Sequence, residues 1–186
     1  MAANIIDIKS YSPESSDVFF FDNNVWMYLF CPLASYNQNR QKHYSLFLQT
    51  VQGVKCTIFI NSLILSEFAN RYLRLDFELW KKETKNFKVD FKRNFIGSER
   101  YKDTIVEIKI NVTKILRICE KSPDNFNLID LNKVFSHLEN IDFNDSYYIE
   151  MAQLSNWRIV TDDSDFVKYK GHNLDIITIV KEKVSS

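Results

Sequence analysis

Acidic residues stand at the edges of four apolar stretches of this chain. Asp22 closes the run Val18-Phe19-Phe20-Phe21, and Glu67 sits inside Leu63-Ile64-Leu65-Ser66-Glu67-Phe68-Ala69-Asn70. Asp145 lies in Phe143-Asn144-Asp145-Ser146-Tyr147-Tyr148, and three more Asp fall in Thr161-Asp162-Asp163-Ser164-Asp165-Phe166. Carboxylates gathered in one place repel one another at neutral pH unless cations sit among them. Hard, oxygen-seeking ions such as Mg2+ or Mn2+ are the usual occupants, and phosphate chemistry is their usual work. A metal-dependent nuclease is the first reading of this pattern.

Taken singly, each acid has a plain structural role open to it. Asp22 suits a turn or helix cap, and Asp145 at a helix start simply complements the helix dipole. The Asp162-Asp163-Ser164-Asp165 run suits a solvated turn, and its three Asp leave the key residue open. Glu67 resists such a reading, because it lies between Leu65 and Phe68, where an ordinary core position would not be acidic.

The elements that must position these residues alternate. Val18–Phe21 and Thr57–Ile60 read as buried parallel strands, with 157–161 and 176–180 as a third and fourth. A short helix runs from Val25 to before Pro32, and an amphipathic one from Arg40 to Val51, stopped near Gly53. Another, capped by Asn61 or Ser62, carries Glu67. Long helix 98–119, helix 130–138, a helix capped by Asn144 through Leu154, and short helix 163–169 complete the pattern, and residues 1–16 read as a loose leader. This alternation predicts an α/β fold, a sandwich around a mostly parallel sheet. Binding sites in such sheets lie beyond the carboxyl ends of the strands, where helix N-termini also point, so all four acidic segments are expected at one edge.

With 186 residues the chain is expected to form one domain, 1–186. Its 24 basic residues balance 24 acidic ones, so any nucleic-acid contact must rest on local patches. The strongest patch, within 81–103, sets Lys81, Lys82, Lys85, Lys88, Lys92, Arg93, Arg100 and Lys102 against four acids, with Phe87, Phe91, Phe95 and Tyr101 interleaved. It reads either as a clamp on a phosphate backbone or as a helical hairpin with its aromatics packed inward. Cys31, Cys56 and Cys119 form no C-x-x-C pair and are expected to be free thiols. His43, His137 and His172 lack zinc spacing. No secretory signal is read in 1–17, and the most apolar window, 18–33, is too short to span a bilayer. A cytoplasmic protein without membrane contact is expected.

In order and content these motifs resemble the PIN-domain nucleases, particularly the VapC-like toxins of toxin–antitoxin pairs. Phe21-Asp22-Asn23-Asn24 is similar to the first family motif, Leu65-Ser66-Glu67-Phe68-Ala69 to the second, and Asp145 to Ala152 to the third. Thr161, Asp163, Asp165 and Phe166 match the fourth, which is the most specific. The likeness covers about 17–72 and 128–181. It departs at Ser146, where Ala is common, and in the 78 positions separating Glu67 from Asp145, an excess taken up by an insertion at about 76–104.

The resemblance implies a three-layer α/β/α sandwich with a helical insertion. It implies an Mg2+- or Mn2+-dependent endoribonuclease, a toxin held by a small antitoxin, with RNA as substrate and a homodimer as a further assembly. Asp22, Glu67, Asp145 and Asp163 would be catalytic and metal-binding, Asp165 an auxiliary ligand, and Asn24 and Thr161 supports. Lys81, Lys82, Lys85, Lys88, Lys92 and Arg93 are the candidate RNA contacts. The alternative is a non-catalytic PIN-like scaffold binding RNA or a protein. A haloacid-dehalogenase-like hydrolase would want Asp-x-Asp after the first strand, where this chain has Asp22-Asn23-Asn24.

Overall fold

The run Val18–Phe21 forms strand β2, at the middle of a six-stranded sheet in the computed structural model, which describes residues 3–33, 38–169, 171 and 173–179. His172 and Val180 lie outside the described residues. Before β2 comes β1 (Asn4–Asp7), and after it α1 (Asn23–Phe30), α2 (Gln38–Gly53), β3 (Thr57–Ile60) and α3 (Ser62–Glu83). A π-helical turn (Phe91–Phe95) leads to α4 (Glu99–Leu116), β4 (Glu120–Lys121), α5 (Leu131–His137) and α6 (Phe143–Ser155). The described chain closes with β5 (Arg158–Val160), α7 (Ser164–Val167) and β6 (Asp175–Thr178).

The sheet order is β1-β6-β5-β2-β3-β4, and every pairing is parallel. Helices pack on both faces because side chains alternate along a strand. Phe19 and Phe21 meet Phe47 of α2, whereas Phe20 meets Tyr148 of α6. All three phenylalanines of β2 are fully buried, each contributing about 1.5–3 kcal/mol by removal from water. This is the sandwich around a parallel sheet that the alternation predicts, in the three-layer α/β/α form that the resemblance implies.

Three local readings are corrected. Residues 4–7 are not a leader but an edge strand paired with β6, in register Ile5 to Ile176. Two apolar residues between Asn4 and Asp7 are too few for a periodic signal, so only the partner strand reveals it. Strand β4 was likewise unread, since Glu120 and Lys121 carry no strand preference and extend the sheet by backbone pairing with β3. Helix α6 is capped by Asp142, which accepts from the Asp145 amide at 2.9 Å, and not by Asn144.

Helices α3 and α4 form a long antiparallel pair joined by the π-helical turn. Phe77, Trp80, Phe91, Phe95 and Tyr101 pack ring against ring there, and Phe95 is fully buried. The aromatics of the basic segment therefore point inward, and Phe87 alone among them is widely exposed. At the base of the pair Asp76, 2% exposed, accepts from Arg100 Nε and from Thr104 Oγ1.

Candidate active site

Parallel register brings the first and fourth motifs side by side. Phe21 on β2 pairs with Val160 on β5, so Asp22 and Thr161 leave the sheet as neighbours at its carboxyl edge. The chain continues from β2 to β3 on one side while β5 lies on the other, the switch point where parallel sheets open a crevice. Asn61 follows β3 and caps α3 through the Ile64 amide, which sets Glu67 in the second turn of that helix. Asp145 occupies the first turn of α6, and Asp163 caps α7.

These four carboxylates line one cleft of about 510 Å3, together with Asn24, Ser66, Asn70, Arg71, Arg74, Asp142 and Asn144. Thr161 anchors it. Its hydroxyl donates to Asp22 Oδ2 at 2.7 Å and accepts from the Asp163 amide at 2.9 Å and from Asn24 Nδ2 at 3.3 Å. One donor and two acceptances use the full capacity of a hydroxyl. The other Asp22 oxygen takes the Asn23 amide at 2.5 Å. Asn144 donates its amide to Glu67.

The electrostatics follow from this crowding. Burial pushes the Asp22 carboxyl up to about 7, with Glu67 and Asp163 adding to the rise and the Thr161 and Asn23 hydrogen bonds opposing it. Asp145 is pushed up to about 9 by burial, then by Asp22, Asp142, Asp163 and Glu67. Burial also raises Glu67. Tyr148, fully buried, is held protonated by burial and by the charges of Glu67, Asp22 and Asp145. Such a set calls for positive charge.

Among the described residues no three carboxylate, imidazole or thiol groups enclose an ion by themselves. Mg2+ keeps several waters and takes only one or two carboxylates directly. Asn23, also on the cleft, has a buried Oδ1 with no hydrogen-bond partner, an oxygen that water of a hydrated cation would satisfy. The donor set fits a hard divalent ion.

The remaining residues singled out by sequence lie elsewhere. Asp162 points away from the cleft, taking Arg40, the Tyr28 hydroxyl at 2.7 Å and the Tyr44 hydroxyl at 3.2 Å. It ties the fourth motif to α1 and α2. Asp165 pairs with Lys168 at 2.6 Å and does not line the cleft. Lys81 pairs with Glu78; Lys82, Lys85 and Lys88 are exposed at and beyond the end of α3, and Lys92 and Arg93 are exposed on the π-helical turn, whose Phe91 packs against Arg74 and Phe77. Lys81 is 14 residues beyond Glu67, about 21 Å along a helix rising ~1.5 Å per residue. The cleft residues that sequence reasoning missed are Asn70, Arg71, Arg74, Asp142 and Asn144. A signal existed for the first three, at positions three, four and seven after Glu67 on one helix.

A PIN domain model matches residues 19–171 of the chain. The chain belongs to the PIN domain family. Curated proteins yielded no match. Among solved structures, VapBC2 from Rickettsia felis, bound to a DNA fragment from its promoter, aligns over 87% of this chain and 98% of its own, at 16% identity and a TM-score of 0.54. PAE2754 from Pyrobaculum aerophilum aligns over 91% of this chain and 90% of its own, at 15% identity and a TM-score of 0.45. The first of these likenesses bears on the fold alone. Among the described residues no helix is long and apolar enough to cross a membrane.

Proposed function

We propose that this PIN-domain protein is a divalent-metal-dependent endoribonuclease, acting in the cytoplasm as the toxin of a toxin–antitoxin pair. The observation that carries the reading is the meeting of Asp22, Glu67, Asp145 and Asp163 in one cleft at the sheet's switch point. A scaffold that only bound a partner would have no use for mutually repelling carboxylates whose protons are held up by burial and by one another.

Asp22, Glu67, Asp145 and Asp163 would hold Mg2+ or Mn2+, directly or through water. A bound ion supplies Lewis-acid polarisation of a phosphodiester and lowers the pKa of an attacking water. The protein's own residues do the positioning. Thr161 and the Asn23 amide fix both oxygens of Asp22, and Asn144 fixes Glu67. Asn24 joins the fourth motif to the first by accepting from the Asp162 amide at 3.1 Å. A small antitoxin and a second copy of the chain are the protein partners this reading carries.

The test is hydrolysis of single-stranded RNA in EDTA, Mg2+ or Mn2+. Cleavage restored by either ion supports the reading. Binding of RNA without cleavage in any ion would point to the scaffold.

A further inference from the structure

The acidic cleft poses an electrostatic problem for the function proposed above. Any carboxylate charge that the bound ions leave unbalanced repels the phosphates that must enter it, and a chain of zero net charge offers no general attraction. The ions meet the phosphate that is cut, and fixed cations beside them would hold the backbone on either side of it. The lysines of 81–88 are too far along α3 to do this.

Two arginines stand where it is needed. Arg71 and Arg74 line the cleft, four and seven positions after Glu67, and so share its face of α3 about 6 and 10 Å further along the helix. The adjoining stripe of α3, with Ile64, Phe68 and Tyr72, is buried in the core and fixes the rotation of the helix. Among the described residues Arg71 makes no ion pair, although its charge is felt by Glu67. Its exposed guanidinium keeps its five donors for a ligand. Arg74 is seated differently. Its guanidinium carbon lies 3.9 Å from the centre of the Phe91 ring, on the π-helical turn of the inserted hairpin. A guanidinium resting over a ring still has N–H groups for phosphate oxygens and loses less entropy when it binds.

We infer that Arg71 and Arg74 grip the phosphodiester backbone of single-stranded RNA beside the acidic centre, and that the inserted hairpin serves the site by seating Arg74 on Phe91. The inference rests on the nuclease reading and assigns the backbone contacts to α3 in place of the distal lysines. A planar fork matches two oxygens of one phosphate, so each arginine positions a phosphate without reading sequence.

The test uses Asp22→Asn as a non-cleaving parent and measures anisotropy of a labelled mixed-sequence single-stranded RNA across a salt series. Adding Arg71→Gln and Arg74→Gln is expected to flatten the dependence of log affinity on log salt by about 1.4, at ~0.7 per lost phosphate contact. At about 0.15 M salt the same loss amounts to roughly tenfold in affinity, shared by all sequences. Adding Phe91→Leu instead should weaken binding while leaving the slope unchanged, because both charges remain. Neutralising Lys81, Lys82, Lys85 and Lys88 together should leave affinity and slope at the parental values. An arginine variant that keeps the parental affinity and slope overturns the inference while the nuclease reading stands, as does a loss carried by the lysine variant. A wild type that neither binds nor cuts RNA overturns both.

Discussion

Thr161 donates its hydroxyl to Asp22 Oδ2 at 2.7 Å, joining the ends of two adjacent strands across 139 positions of sequence. The Thr161 hydroxyl oxygen also accepts from Asn24 and from the Asp163 amide, so one side chain aligns two of the four site carboxylates. Thr161→Val keeps the shape, removes the hydroxyl and strands its three partners. The expected cost is about 1–3 kcal/mol of stability, with RNA cleavage falling further than the fold does. Thr161→Ser should retain most activity. Chemical denaturation and cleavage rates measured together check this, and equal rates for the Val and Ser variants would remove Thr161 from the site.

The hairpin that carries Phe91 is fastened by Arg100 and Asp76. Asp76 is 2% exposed, whereas the Arg100 side chain is 35% exposed. Arg100→Ala leaves a buried carboxylate with only the Thr104 hydroxyl, and the expected cost is about 3 kcal/mol. Asp76→Ala should cost less, because Arg100 can turn to water and to Glu83 at 3.4 Å. Urea unfolding of both variants gives the order. The reverse order would contradict this account of the clamp.

Cys119 supplies a pH dependence away from the site. Cys119 is half-buried, and desolvation pushes its thiol from 9.0 up to about 12. The fold therefore favours the protonated thiol, so this contribution to stability is complete below pH 9.0 and declines as pH rises toward 12. At pH 9 native Cys119 should resist iodoacetamide and react readily once the chain is unfolded. Mass spectrometry of the alkylated peptides reads the outcome, and equal native and unfolded rates would count against the burial.

The strands and the acidic set were legible because each carried a local signal: Phe19, Phe20 and Phe21 a buried run, Glu67 an acid in an apolar segment, Thr161 to Phe166 a dense motif. What was not legible depended on partners distant in sequence. Ile5 and Ile6 become strand only beside Ile176 and Ile177, and Glu120 and Lys121 only beside Phe59 and Ile60. Among three closely spaced Asp, composition could not tell which faced the cleft. The structure turns Asp162 to Arg40, gives Asp165 to Lys168 and leaves Asp163 on the cleft. Asn144 was read as a cap because Asn favours that position, but Asp142 takes the cap and leaves the Asn144 amide for Glu67.

A cation that binds only the folded cleft stabilises it by mass action. Millimolar Mg2+ or Mn2+ should raise the melting temperature above that in EDTA, by several degrees at concentrations about a hundredfold above Kd. Asp145→Asn should lose most of that rise and, in EDTA, melt no lower than wild type, since it removes a carboxyl that must take up a proton on folding at neutral pH. Superimposed melting curves in EDTA and Mn2+ would argue against any metal at these carboxylates.

The most direct measurement is the rate of single-stranded RNA cleavage by wild type and Asp22→Asn at saturating Mn2+. Asn preserves the shape of Asp22 and can still meet Thr161, but it removes a charge from the ion-binding set. Wild type is expected to cleave and Asp22→Asn to fall by about 10³-fold, equivalent to ~4 kcal/mol of transition-state stabilisation. An Asp22→Asn protein that cuts at the wild-type rate would contradict the metal-dependent reading.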